Sequence, residues 1–329
     1  MKSVMFIMWP VLALTVNAVW PSVEEMALYN ARRYGALAKE CLRVIDQDGM
    51  PVAGARVWGG LQIGDGYDDF IAIRGTTDTN GEYVIQGKCT NRIRCDITKA
   101  GYYRSEFLLT SYGYSHTLKN GKWLPHGEIN TIVLKAIKNP GKCCAFPNTL
   151  RNCRIPDLGK WIGFDFERGE WVHPYGKGRH ADVLIKFLST RNGLHNYKYV
   201  MDVSFTNNPY AGAYLMKADK SSKLTSVYSA DSNATYCATF SYVKEQTPGN
   251  RRHWDFLDSD SYLVFRTRTR IDEHGNLIGA HYGKILGPWL SETEFMILSD
   301  GCFNPVENDV NIEDGSVLRN ILKNLNKTR

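Results

Sequence analysis

The stretch CLRVIDQDGMPVAGARVWGG, residues 41–60, decides the fold together with TTDTNGEYVI, residues 76–85. Residues 41–46 alternate apolar and polar side chains at period two, the pattern of a half-buried strand. Asp46-Gln47-Asp48-Gly49 is a turn in which Gly49 is free to take a positive φ. Residues 51–58 read as the next strand, with Pro51 at its first position, where no interior ladder needs the missing N–H. Residues 76–85 repeat the device: a strand end, a turn resolved by Asn80-Gly81, and a strand with Tyr83 and Ile85 on one face. Further strands are expected at 93–97, 105–109 and 129–134, the second following a Gly101-Tyr102 turn. Strands this short, separated by this many turn signals, argue for an antiparallel sandwich.

The same residues resemble the carboxypeptidase regulatory-like, transthyretin-like domain. The matching positions are Asp46-x-x-Gly49-x-Pro51-Val52-x-Gly54-Ala55-x-Val57, then Thr77-Asp78-x-x-Gly81-x-Tyr83, then Gly101-Tyr102 and the closing strand at 132–134. The resemblance covers residues 39–138 and implies an accessory β-sandwich without a catalytic set, of a kind common in exported bacterial proteins. One departure is an insert at 60–75, expected to form an extended loop between the second and third strands. It carries Asp65, Asp68 and Asp69, whose hard oxygens on a flexible loop are candidate calcium ligands, although the spacing is not that of an EF-hand.

The chain begins MKSVMFIMWPVLALTVNAVW: a basic Lys2, an apolar run over 4–16, and small residues before a cleavage point after Ala18. This reads as a Sec-type signal peptide over 1–18. The run is too short for a bilayer core of about 30 Å, so the mature chain is expected to lack a transmembrane segment and to be exported, whether periplasmic, cell-surface or secreted. Residues 19–38 read as a short helical lead: Glu24 and Glu25 come first, Arg32 and Arg33 later, with Met26, Tyr29, Tyr34 and Leu37 as an apolar stripe expected to face the second domain. The net charge of +6 is scattered, without the basic stripe of a nucleic-acid binder.

Eight cysteines suit disulfides in an exported chain, although they allow 105 pairings. Cys89 and Cys95 could tie neighbouring strands, and adjacent Cys143 and Cys144 are expected to take different partners. Residues 139–156 form a linker rich in proline and cysteine, pinned instead of swinging. Beyond it, 157–329 read as a second mainly-β domain ending in a brief helix at 316–323. Phe303-Asn304-Pro305, Asn308-Asp309 and Asn311-Ile312-Glu313 resemble the closing region of uncharacterised exported bacterial proteins that pair such a sandwich with a second β domain, which bears on architecture alone. The fold class expected is therefore all-β, a transthyretin-like or immunoglobulin-like sandwich followed by a second β domain.

Two constellations in the second domain bear on function. In SYLVFRTRTRI, residues 261–271, Phe265, Thr267, Thr269 and Ile271 are expected on one face and Arg266, Arg268 and Arg270 on the other. Such a row could hold carboxylates or sulfates of an acidic sugar polymer, or could be a solvated face. Trp161, Phe164, Phe166, Trp171 and Tyr175 lie close together, interleaved with Asp165 and Glu167. Exposed, the rings would give sugars a flat apolar surface with acids for their hydroxyls; buried, they would be core.

Paired carboxylates for glycoside hydrolysis could come from Asp165, Glu167, Glu170, Asp182 or Asp202. The zinc-hydrolase, serine-elbow, phosphate-loop and dinucleotide motifs are all missing from the sequence. The preferred reading is a non-catalytic binding module for a polysaccharide or another cell-surface ligand, using Trp161, Asp165, Glu167, Trp171, Tyr175 and the arginine row. A structural part of an envelope assembly, partnered by an envelope protein, is the first alternative, and a glycan hydrolase the second. No cofactor beyond the candidate calcium is expected.

Overall fold

The computed structural model describes residues 21–64, 69–110, 112–140, 143–145, 153–206, 209–250, 253–255, 260–286, 295–296 and 301–314. The signal-peptide reading over 1–18 and the helix expected at 316–323 lie outside them.

Helix α1 (Val23–Tyr34) opens on a capping box: the Glu25 N–H donates to Ser22 Oγ at 3.1 Å and the Ser22 N–H to Glu25 Oε2 at 2.7 Å. Its acids lead and Arg32 and Arg33 close it, as the helix dipole favours. The expected stripe is not the buried one. Met26, Tyr29 and Tyr34 are exposed, while Leu28 and Ala31 pack on the core of the first sandwich, not on the second domain. The helix stops at Gly35 and the chain enters the first sandwich one residue later, so the connection dictates which core it meets.

The first sandwich contains β1 (Ala36–Asp46), β2 (Arg56–Gln62), β3 (Phe70–Thr76), β4 (Glu82–Cys89), β5 (Ile93–Thr98), β6 (Ser105–Leu109), the short helix α2 (Tyr112–Ser115), β7 (Thr117–Lys119), β8 (Lys122–Leu124) and β9 (Glu128–Leu134). In one sheet β1 pairs antiparallel with β4 and parallel with β9, and meets β8, which pairs with β7. The other runs β3-β2-β5-β6, antiparallel throughout. Leu42 and Val44, Val57 and Leu61, Ile85, Ile93, Ile97 and Leu134 fill the space between the sheets. Trp123 is buried among them, its Nε1 donating to the Cys89 carbonyl at 2.7 Å.

The insert at 60–75 is mostly strand, not loop: β2 runs on to Gln62 and pairs in unbroken register with β3, from Arg56 opposite Thr76 to Gln62 opposite Phe70. Pro51 makes one isolated bridge, to Ile45, and the strand proper starts at Arg56. Residues 52–55 are held instead by Thr77, whose Oγ1 accepts the Ala55 N–H at 2.9 Å and donates to the Val52 carbonyl at 2.6 Å. This clip joins the Pro-Val-x-Gly-Ala step to the Thr-Asp turn.

The second domain contains β10 (Cys144–Ala145), β11 (Cys153–Arg154), β12 (Ile162–Asp165), β13 (Glu170–Trp171), β14 (Val183–Gly193), β15 (Asn196–Phe205), β16 (Gly212–Lys217), β17 (Thr239–Gln246), β18 (His253–Asp255), β19 (Ser261–Ile271), β20 (Leu277–Leu286), β21 (Phe295–Met296) and β22 (Cys302–Phe303). A six-stranded sheet, β13-β12-β14-β15-β17-β18, shares an aromatic core with a five-stranded one, β10-β22-β20-β19-β16. Phe166 and Phe265 meet there with centroids 4.6 Å apart. Tyr262, Val264 and Tyr282 point to the opposite face of the five-stranded sheet, which Ala230 and Ile312 cover. Burial on both faces explains why β19 is buried without a break from Tyr262 to Thr267.

Cys143 is bonded to Cys302, Cα to Cα 5.6 Å. Cys89 and Cys95 do not tie strands together; both are free thiols in the first core, pushed up to about 12 by burial. Cys41 and Cys153 are half-buried free thiols, and Cys237 is an exposed one.

A buried seam joins the domains. Glu313 takes the Tyr103 hydroxyl on Oε1 at 2.9 Å, the Lys138 N–H on Oε1 and the Asn139 N–H on Oε2. Lys135 Nζ donates to the Leu224 and Ser226 carbonyls and pairs with Asp219 at 3.1 Å. The Glu106 N–H donates to the Ser221 carbonyl, extending the edge of β6 into the second domain.

Candidate ligand-binding surface

The arginine row does not exist as a row. Pairing of β19 with β20 slips between Thr267 and Arg270, and Arg268 has φ 51°, a left-handed backbone uncommon outside glycine. The bulge turns Arg268 to the side that Thr267 also serves, so that both donate to Asp182 Oδ1, at 2.9 and 3.1 Å. Arg266 goes the other way and is buried, donating to the Tyr210 and Ser232 carbonyls with its guanidinium carbon 3.9 Å from the Tyr236 ring centroid. Arg270 is exposed and pairs with Glu307 at 2.7 Å. Three arginines adjacent in sequence therefore serve three separate places.

Arg268 gathers the expected acids. It bonds Asp182 through Nε and Asp165 through Nη2, reaches Glu167 through Nη1, and lies 4.5 Å from the Phe303 ring centroid. Burial acts to raise the Asp165 carboxyl, but the N–H groups of Arg179, Arg168 and His180 and the Arg268 charge hold it below the usual carboxylate range. For Asp182 burial wins, and the carboxyl stands above its ordinary value despite Arg268 and the Phe166 N–H. The cluster thus ties the end of β12, the 179–182 segment and the β19 bulge together. Asp202 and Glu170 are likewise engaged locally, with the Ser241 hydroxyl and the Lys177 N–H.

The aromatic run divides. Phe164, Phe166 and Trp171 belong to the core, with Trp171 Nε1 donating to the Arg154 carbonyl at 2.9 Å. Trp161 and Tyr175 are exposed, at 47% and 39%. The Tyr175 hydroxyl donates to Asp157 Oδ2 at 3.0 Å, and the same oxygen pairs with Lys160 at 2.8 Å. The Asp157 contact raises the Tyr175 phenol, while Lys160 and the Tyr175 hydroxyl lower the Asp157 carboxyl. Trp161 follows Lys160 in the chain, and Lys186 Nζ sits 5.8 Å from its ring centroid. Tyr175 also lines an open depression of about 500 Å³, together with Arg154, Glu170, Trp171 and Lys177. The result is an exposed strip of rings and charges.

Asp157, Lys160 and Lys186 were not legible as members of this strip. Their place depends on a turn contact and on a neighbouring strand, neither of which leaves a pattern in the chain. Asp65 and Asp68 of the proposed calcium loop lie outside the described residues. Asp69 accepts the Ile63 N–H through its backbone carbonyl. Among the described residues no group of three or more His, Cys, Asp or Glu side chains is arranged to hold a metal ion, and no helix is long and apolar enough to cross a membrane.

No family model matches the chain, and no curated protein matches it. Among solved structures it is similar to 3-chlorocatechol 1,2-dioxygenase from Rhodococcus opacus, at 15% identity over 32% of this chain and 62% of that one, TM-score 0.25. It is also similar to the shaft pilin SpaA of Lactobacillus rhamnosus, at 13% identity over 85% and 94%, TM-score 0.23. A DUF3823 family protein from Parabacteroides merdae matches at 9% identity over 82% and 98%, TM-score 0.20. The chain spans less than two thirds of the dioxygenase it matches. Likenesses this low in score carry no argument about function.

Proposed function

We propose that the protein is a non-catalytic binding module whose ligand is a carbohydrate, taken on the strip from Trp161 to Tyr175. The observation that carries this reading is Tyr175: an exposed ring that lines an open depression and is fixed through its hydroxyl by Asp157, which also pairs with Lys160, the chain neighbour of the exposed Trp161. A ring held this way offers an apolar face to a sugar without losing side-chain freedom on binding, while Glu170, Lys177 and Lys160 stand ready for hydroxyls. A hydrolase would need a pair of carboxylates free to exchange protons with substrate; Asp165, Glu167 and Asp182 are committed to Arg268, and Asp202 and Glu170 accept from the Ser241 hydroxyl and the Lys177 N–H.

A structural role in an envelope assembly is the second reading, favoured by the Glu313 seam, which joins the two sandwiches by hydrogen bonds. Retention of the protein on immobilised glycans, with released sugars read in the same wells, separates the readings. Retention without release, reduced several-fold by Tyr175→Ala, supports the binding module. Retention unchanged by both Tyr175→Ala and Trp161→Ala would remove this strip from consideration, and silence on every glycan would leave the structural reading.

A further inference from the structure

The outer face of the first sandwich holds a second feature that the strip does not explain. Strand register places its side chains unambiguously. Val57 and Leu61 point into the core, so Arg56, Trp58, Gly60 and Gln62 point out. Across the ladder, Trp58 lies opposite Arg74 of β3 and Asp96 of β5, and Asp96 lies opposite Glu106 of β6. The next outward row is Ala72, Gly60, Arg94 and Leu108. Trp58 therefore sits on an inner strand of the four-stranded sheet, and it is 49% exposed.

An indole left open to water at the centre of a sheet face contributes little to the fold. Its neighbours are not apolar partners that would cover it in a second copy; they are mostly charged. Arg94 pairs with Glu106 at 2.7 Å and Arg104 with Asp96 at 2.8 Å, which neutralises both acids. Arg56 and Arg74 are exposed and have no carboxylate partner among the described residues. The face thus carries two uncompensated guanidinium groups beside one open indole. Asp96 Oδ1 is a buried acceptor without a hydrogen-bond partner, in the same row as Trp58. Two residues along β2 from the indole, the Phe70 ring lies against Gly60, where an added Cβ would meet Phe70 Cβ at 3.0 Å, with the Arg92 guanidinium 5.3 Å from its centroid.

We infer that this face binds an acidic polysaccharide, a polymer of uronic acids or sulfated sugars. A pyranose ring stacks its apolar C–H face on Trp58, while Arg56 and Arg74 take the anionic substituents in forked hydrogen bonds. Charge complementarity selects this ligand over a neutral glycan, and the single open indole suits a sugar ring lying flat on the sheet. The inference shares a glycan ligand with the proposed function but uses different residues on the other sandwich, so either can fail alone.

The test is calorimetric titration of the purified protein with polygalacturonate, neutral dextran, poly-L-glutamate and a single-stranded oligonucleotide. The expected result is saturable binding of polygalacturonate, at least tenfold tighter than of the other three. Trp58→Ala should weaken it tenfold or more, and the double variant Arg56→Gln/Arg74→Gln should reduce it to the dextran level. Tyr175→Ala should leave it unchanged. Because all three side chains are exposed, the melting temperature of these variants should match that of the parent protein. Three outcomes overturn the inference: no binding of polygalacturonate, binding of poly-L-glutamate or the oligonucleotide as tight as that of the polysaccharide, or binding that survives Trp58→Ala and is lost in Tyr175→Ala.

Discussion

Arg268 illustrates how one residue's backbone decides what its side chain is for. Read by alternation, it belongs with Arg266 and Arg270; its φ of 51° and the slip in pairing place it among three carboxylates. Asp165 and Asp182 are almost fully buried there, so removing the guanidinium leaves two charges without their cation. Arg268→Ala should lower stability by about 3–5 kcal/mol, read from urea denaturation, and a loss below about 1 kcal/mol would mean that the cluster is not cohesive. The acids were nameable from sequence because they cluster near the aromatics. Their common partner was not, since it lies about a hundred residues away along the chain and behind a bulge. Trp161 and Tyr175 were legible as aromatics, but only the structure separates them from Trp171, which points to the core from the same short segment.

At the scale of elements, one device recurs three times. In Asp46-x-x-Gly49, Asp78-x-x-Gly81 and Asp272-x-x-Gly275 the aspartate Oδ1 accepts the N–H groups two and four residues on. Each glycine has a positive φ, 82°, 75° and 81°, and donates its N–H to the aspartate carbonyl. The first two turns were read from the sequence because side chain and glycine are both local requirements. Their surroundings differ, and so should their tolerance. An added Cβ at Gly49 meets nothing within 4 Å, whereas at Gly81 it would stand 2.3 Å from the Val44 carbonyl oxygen. Gly49→Ala should therefore cost about 1–2 kcal/mol for the left-handed backbone alone, and Gly81→Ala clearly more, measured side by side by thermal melting. Equal losses would contradict the contact. What local reading could not give was the continuation of β2 and β3 through the insert. Gly59, Gly60 and Gly75 look like loop residues, yet each is small because something lies close: the Arg94 carbonyl, the Phe70 ring and the Tyr83 ring respectively.

At the scale of the whole molecule, the seam joins two sandwiches and should couple their unfolding. Glu313→Ala removes the carboxylate that takes three donors, the buried Tyr103 hydroxyl and the N–H groups of Lys138 and Asn139. The parent protein should unfold in a single calorimetric transition, and the variant in two, as each sandwich keeps its own core. A single, merely shifted transition in the variant would show that other contacts, such as those of Lys135, carry the coupling. Neither Tyr103 nor Glu313 is marked in the sequence as a partner of the other, although the Asn311-Ile312-Glu313 step stood out as part of a closing motif.

Lys284 adds a pH signature to the same region. Its Nζ donates to Ser226 Oγ at 2.7 Å, and burial lowers its ammonium to about 8, with Lys135 acting in the same direction and Asp314 and Glu313 opposing. The unfolded chain holds this proton up to the ordinary lysine value of 10.5, so between these values the unfolded state binds more protons and stability rises with pH. The penalty is fully present below pH 8 and fades toward pH 10.5. Lys284→Met should be more stable than the parent at pH 7, and the advantage should shrink as pH rises through this window, in urea melts of both proteins. An advantage independent of pH would contradict a charged, buried Lys284.

The central claim is that a carbohydrate is bound on the strip from Trp161 to Tyr175. Its most direct test is a titration of the protein, labelled at its tryptophan indole nitrogens, with soluble neutral oligosaccharides while the indole N–H resonances are followed by NMR. The account expects saturable movement of the Trp161 signal, little change at the buried Trp123 indole, whose N–H group is held by the Cys89 carbonyl, and loss of the response in Tyr175→Ala. Binding detected by heat or retention while the Trp161 resonance stays fixed would contradict it.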